Sequence, residues 1–160
     1  MADSIEIVRI DGCFHRWGDL LALILSSFAY MDGVVDPPSS AHRLTAASLA
    51  QKACDEIAFV ALEDANLVGC VFFRPEPGFL YIGKLAVSLD YQGKGIGRLL
   101  LSVAEDLARE MRLPALRLET RIELTSNHQT FGRWGFVKTA ENSHAGFDRA
   151  TSIEMQKRLA

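Results

Sequence analysis

Residue types and spacing first suit chemistry in the run Tyr91-Gln92-Gly93-Lys94-Gly95-Ile96-Gly97-Arg98. Glycines at 93, 95 and 97 remove side chains where a backbone must pass close to a ligand. The helix that follows presents its unpaired N–H groups to the same place, and this combination binds phosphate. A glycine-rich turn can also be a plain connector, so the reading depends on its flanks.

Those flanks are a strand-like run, Phe79 to Val87, and an amphipathic helix starting near Gly97. On the helix, Leu100, Val103, Ala104, Leu107, Ala108 and Met111 form one apolar stripe, and Pro114 ends it. Upstream, Ile5 to Ile10 reads as a strand closed by Asp11-Gly12, and Leu20 to Phe28 as a helix ending before Gly33. The loop Asp36-Pro37-Pro38-Ser39-Ser40 leads to an alanine-rich helix through about Ala53. Ile57 to Leu62 and Leu67 to Phe73 form a hairpin across Glu63-Asp64-Ala65-Asn66, and Pro75-Glu76-Pro77-Gly78 breaks before the next strand. Downstream come a strand Leu116 to Ile122, a short helix Ser126 to Trp134 closed by Gly135, and strands Phe136 to Ala140 and Ser152 to Leu159 around a polar loop.

The 160 residues, 49% of them hydrophobic, fit one domain spanning 1–160 with a real core. A net charge of -3 offers no basic face for nucleic acid. Cys13, Cys54 and Cys70 are far apart and read as buried free thiols, with neither a metal site nor a disulfide framework. The start Met1-Ala2-Asp3-Ser4 has no basic leader pattern, and the apolar run Leu20 to Leu25 is too short to span a membrane, so a cytoplasmic location is expected.

The order β, α, α, β, β, β, glycine turn, α, β, α, β, β resembles the GNAT family of N-acetyltransferases over nearly the whole chain. The turn carries that family's Gln-x-x-Gly-x-Gly signature at Gln92, Gly95 and Gly97. Leu118-Glu119-Thr120-Arg121 is similar to its Leu-Glu-Val-Arg strand, and Gly135-Phe136 to its closing Gly-Phe. The resemblance implies an α+β fold, a mixed and mostly antiparallel twisted sheet of about seven strands flanked by about four helices. It implies acetyl-coenzyme A as co-substrate and a primary amine of a small molecule or peptide as acceptor, attacking directly in a ternary complex. It also admits a homodimer.

By that resemblance, Gln92, Gly93, Lys94, Gly95, Ile96, Gly97 and Arg98 hold the pyrophosphate. Backbone atoms of Leu85, Ala86 and Val87 pair with the pantetheine arm, and the Leu85 N–H faces the oxyanion. Phe28, Tyr30, Asp32, Tyr81, Phe147 and Asp148 are the implied acceptor walls.

Acetylation needs a neutral amine, which for a lysine-like group of pKa about 10.4 costs about 4.6 kcal/mol at pH 7. A base or water relay is therefore expected. Where family members often carry a carboxylate, this chain has Tyr81. Glu119 on the next strand is the nearest carboxylate, either a cleft residue or the partner of Arg117 or Arg121 in an ion pair. Glu123, His128 and His144 are weaker candidates for the base; more simply, Glu123 reads as a solvated loop-end charge, and His128 and His144 as exposed surface residues. Where the family places a tyrosine that protonates the departing sulfur, Phe131 stands here, and the family's helix-start asparagine falls on Leu124, with Asn127 three residues on.

Two other readings compete. A dinucleotide-binding domain shares the strand, turn and helix, but Gly93-x-Gly95-x-x-Arg98 puts arginine where a small residue must pack, and the turn follows three antiparallel strands. A non-catalytic acyl-coenzyme A binding module is the stronger rival, motivated by Tyr81 and Phe131.

Overall fold

The hairpin Ile57 to Glu76 and the strand after it set the centre of the molecule, because their residues are apolar on both faces and must be covered twice. The computed structural model describes residues 4–160, so Met1, Ala2 and Asp3, read above for a leader pattern, lie outside the described residues. Among the described residues are strands β1 (Ile5–Arg9), β2 (Ile57–Glu63), β3 (Asn66–Glu76), β4 (Phe79–Val87), β5 (Ala115–Arg121), β6 (Val137–Asn142) and β7 (Ser152–Arg158). The helices are α1 (Trp17–Phe28), α2 (Ala46–Asp55), α3 (Ile96–Glu110) and α4 (Thr125–Arg133).

The strands form one seven-stranded sheet in the order β1-β2-β3-β4-β5-β7-β6. Every pairing is antiparallel except β4 with β5, as the α3 crossover between them requires. This is the α+β layered arrangement that the resemblance implies. Alternation along β3 divides the core. Cys70 and Phe72 pack with Leu20, Ile24 and Leu49 of α1 and α2, while Val71 and Phe73 pack with Leu100, Ala104 and Ala108 of α3.

Several local expectations change. The strand β3 runs through Pro75 to Glu76, and Glu76 pairs with Phe79, so the turn is only Pro77-Gly78. Met111 leaves the α3 stripe and is 40% exposed, and Ile96 and Leu101 take buried places on it. Glu141 and Asn142 belong to β6 and not to the loop. Of the three cysteines only Cys70 is buried, while Cys13 and Cys54 are exposed because they fall outside the inward faces of β3 and α2.

One break in the sheet matters most. The parallel pairing of β4 with β5 is confined to Leu80↔Leu116 and Tyr81↔Arg117. Beyond that point β4 stays with β3 out to Val87↔Gly69, and β5 stays with β7 out to Arg121↔Ser152. Each strand follows its outer partner, so the two splay and leave facing edges open.

Candidate active site

The turn between β4 and α3 leaves the start of a helix open, an arrangement able to take an anion. Gly93 and Gly95 lie at φ +80° and +86°, a region where a side chain costs about 1–2 kcal/mol, and Gly95 is the N-cap of α3. The first helical bond runs from Leu99 N–H to the Gly95 carbonyl at 3.0 Å, so the N–H groups of Ile96, Gly97 and Arg98 have no helical acceptor. No acidic residue occupies the first turn of α3 to compete for them. At Gly97 a Cβ would come within 3.1 Å of the Trp134 ring, so the missing side chain lets the end of α4 close down on the helix start.

Side chains fix the turn from three sides. Tyr91 Oη donates to Glu63 on the β2–β3 hairpin at 2.9 Å, and Lys94 Nζ sits 5.0 Å from the centre of the Tyr91 ring. The Val87 carbonyl accepts from Gln92 Nε2 at 3.3 Å and from Ser27 Oγ of α1 at 3.0 Å. Arg98 reaches across Trp134, 5.9 Å from its ring centre.

A cleft of about 700 Å³ runs from this turn along the splayed strands, lined by Leu85, Ala86, Val87, Gln92, Gly93, Gly95, Ile96, Gly97, Arg98, Asn127 and Phe131 among others. Of the residues expected at the cofactor, Lys94 alone is absent from the lining, being turned onto Tyr91. A second cavity of about 390 Å³ opens on the other side of Leu85 and includes Tyr81, Lys84, Glu119, Arg121 and His144. Phe28, Tyr30, Leu85, Asn127 and Phe131 line both, so the two spaces meet there.

The junction owes its shape to a β-bulge. The β3–β4 register passes from Phe72↔Gly83 to Cys70↔Ala86, so Lys84 and Leu85 together stand opposite Val71. Lys84 adopts φ +49°, unusual for a side-chain-bearing residue. Its carbonyl accepts from Cys70 Sγ at 3.3 Å, and burial pushes the Cys70 thiol up to about 12.

Tyr81 and Glu119 share one face of the splay. Tyr81 pairs with Arg117, and Glu119 lies two residues further along β5. Burial, reinforced by the Glu119 charge, pushes the Tyr81 phenol up to about 12, so it is protonated at neutral pH and can donate but not act as a base. The Arg74 guanidinium covers the ring at 4.6 Å. Glu119 is exposed to the cavity and accepts from Ser152 Oγ at 3.3 Å. The alternative of an ion pair does not occur: Arg117 pairs with Glu154 at 3.3 Å, and Arg121 donates to the Pro38 carbonyl at 3.0 Å.

Other expectations need correction. His128 is half-buried with Nε2 2.9 Å from the Arg121 carbonyl, because the first turn of α4 folds back over the end of β5. His144 is half-buried, bonded through Nδ1 to Thr151 Oγ1, and lines the second cavity. Glu123 is half-buried and accepts from the Asp36 N–H at 3.2 Å with Arg149 4.0 Å away, so it ties loops together. Asp32, Phe147 and Asp148 do not line the cavity; Asp32 holds His42 at 2.6 Å and Phe147 lies under Arg149.

Tyr30, expected only as a wall residue, has a larger place. Its Oη accepts from Asn127 Nδ2 at 3.0 Å and stands at the meeting point of both cavities. The contact spans 97 positions, which no local pattern reveals.

Among the described residues, no cluster of His, Cys, Asp and Glu is arranged to hold a metal, and no helix is long and apolar enough to cross a membrane. Similar solved structures include the PaiA N-acetyltransferase of Thermoplasma acidophilum in complex with coenzyme A, at 18% identity and TM-score 0.79 over 98% of this chain and 99% of that one. A GNAT-family acetyltransferase from Staphylococcus aureus superposes at TM-score 0.75 with 16% identity, covering 98% of this chain and 99% of that chain. The ribosomal-protein-S18-alanine N-acetyltransferase of Escherichia coli does so at 0.68 with 16% identity, covering 98% and 94%. These likenesses show the fold. No curated protein matches the chain in sequence. Residues 20–136 match the model of the acetyltransferase (GNAT) family, and the chain therefore belongs to that family of acyl-coenzyme A N-acyltransferases.

Proposed function

We propose that the protein transfers an acetyl group from acetyl-coenzyme A to a primary amine by direct attack within a ternary complex. The observation that carries this reading is the meeting of an anion-binding cleft and a separate polar cavity at one bulged residue, Leu85. The residues present fit coenzyme A: the open N–H groups of the α3 start suit the pyrophosphate, and the unpaired edges of β4 and β5 suit the amide-bearing arm. Acetyl-coenzyme A supplies an activated thioester carbonyl when bound.

The chain's own groups do the rest. Glu119, the carboxylate at the second cavity, takes the proton of the incoming amine directly or through one water. Tyr81, held protonated, donates a hydrogen bond that orients the acceptor. The Leu85 N–H, at the bulge, donates to the carbonyl oxygen where negative charge grows. Tyr30, its hydroxyl oriented by Asn127, supplies the proton to the departing sulfur that Phe131 cannot. This replaces a donor on α4 with one on the turn after α1.

The rival reading, a binding module without turnover, rests on Phe131 and Tyr81. Incubation of the purified protein with acetyl-coenzyme A and a broad amine panel separates the two. Thiol release with an acetylated amine as product is the expected result. Tight coenzyme A binding with no release for any amine would refute the transferase reading.

A further inference from the structure

The second cavity has an uneven charge balance. Four cationic side chains line it, Lys52, Arg74, Lys84 and Arg121, against one carboxylate, Glu119. Two of the cations are already neutralised: Lys52 pairs with Glu56 at 2.8 Å and Arg74 with Glu76 at 2.6 Å. Lys84 and Arg121 have no ion pair among the described residues. Lys84 Nζ donates only to the Ser40 hydroxyl at 3.1 Å, and Arg121 Nη2 to the Pro38 carbonyl at 3.0 Å. Burial, with the Lys52 and Arg43 charges nearby, lowers the Lys84 pKa against the pull of Glu56, and burial lowers that of Arg121 against the pull of the Glu123 and Asp36 carboxylates, which lie close without forming a salt bridge to it.

One polar group in the wall lacks a hydrogen-bond partner. Thr120 is 8% exposed and its Oγ1 has no hydrogen-bond partner. Buried polar groups without partners and buried charges without counter-charges are costly, and a ligand that completes them relieves that cost. An amine with an uncharged tail would add its own positive charge beside two cations that no salt bridge neutralises among the described residues. An amine whose tail is a carboxylate would offset them while its ammonium end meets Glu119. The pyrophosphate of coenzyme A does not explain these cations, since neither lines the cleft that leads from the glycine turn.

Resting on the transferase reading, we infer that the acceptor is a primary amine that also bears a carboxylate, such as an amino acid, with Lys84 and Arg121 holding the carboxylate.

The test uses N-acetylamino acids and their amides, product-like probes with no backbone amine to titrate, bound to the coenzyme A-loaded protein and read by calorimetry. For at least one side chain the acid should bind about tenfold or more tighter than the amide. Lys84→Met and Arg121→Met should each remove about tenfold of that preference, with coenzyme A affinity and melting temperature kept, and Arg121→Lys should recover part of it. Amides binding as well as acids across the panel, or no probe binding, would overturn the inference. So would Lys84→Met weakening acids and amides alike. Because this readout needs no turnover, a wild-type preference for acids without thiol release would instead count against the transferase reading.

Discussion

Gly95 offers the sharpest perturbation because strain and charge can be separated there. Its φ of +86° taxes any substituted residue, yet beyond the adjoining residues no atom lies within 4 Å of where a Cβ would stand, so a side chain there meets open space. Gly95→Ala and Gly95→Asp therefore both bear a conformational cost, about 1–2 kcal/mol for alanine and less for aspartate, which tolerates the left-handed region and suits an N-cap. For a chain of this size that lowers the melting temperature by roughly 2–8 °C. Only the aspartate adds a charge facing the anion site. Placed roughly 5 Å from one phosphate charge, at an effective dielectric between about 20 and 80, it costs about 1–3 kcal/mol. Coenzyme A affinity should thus fall by roughly 5- to 150-fold in Gly95→Asp relative to Gly95→Ala, with pantetheine, which lacks the pyrophosphate, unaffected by the difference. Calorimetry with both ligands measures this, and thermal melts check that the variants are folded. Equal coenzyme A affinity in the two variants would refute the assignment of the turn.

Glu119→Gln keeps the shape of the cavity and the Ser152 contact but removes the proposed proton acceptor, so turnover should fall by about 10²–10⁴ while coenzyme A binding is unchanged, as steady-state kinetics and calorimetry will report. Tyr30→Phe should lower kcat more than it alters KM for the amine, and Asn127→Ala should do so less strongly; equal kcat in Tyr30→Phe and wild type would remove Tyr30 from the mechanism. Alkylation with iodoacetamide at mildly alkaline pH should label Cys13 and Cys54 but spare Cys70 by mass spectrometry. Since folding raises the Cys70 pKa from 9.0 to about 12, the folded state keeps a proton that the unfolded state loses. Stability should be intact below about pH 9 and decline between there and about pH 12, and Cys70→Ala should lessen that slope in urea titrations.

The elements legible in the sequence are those with strong periodicity or punctuation. The β4 boundaries, the glycine turn and the Gly135 stop follow from residue type, because each depends on local backbone preference, and most of the α3 stripe follows from its period, although Met111 leaves it and Ile96 and Leu101 join it. The strand β3 is longer than its sequence suggests because Pro75 reads as a break, although there the chain has reached the end of the hairpin. The site is legible where it is made of backbone and hidden where it depends on tertiary contact. Nothing in Gly83-Lys84-Leu85 announces a bulge, since a lysine at positive φ is held there by the β3 register. Likewise Tyr30 and Asn127 meet only because the turn after α1 and the start of α4 converge on the same splayed strands. His128 and Glu123 read as surface charges because the loops that fold back over them leave no mark in their own neighbourhoods of the chain.

The central claim is that the acetyl group passes directly to the amine at the junction beside Leu85. Rapid-quench thiol measurement combined with intact-protein mass spectrometry, with and without an amine that the panel identifies, tests it most directly. Direct transfer predicts no thiol and no acetylated protein without the amine, and thiol and acetylated amine in equal amounts with it. A stoichiometric burst of thiol in the absence of amine, together with an acetylated protein side chain, would contradict the account.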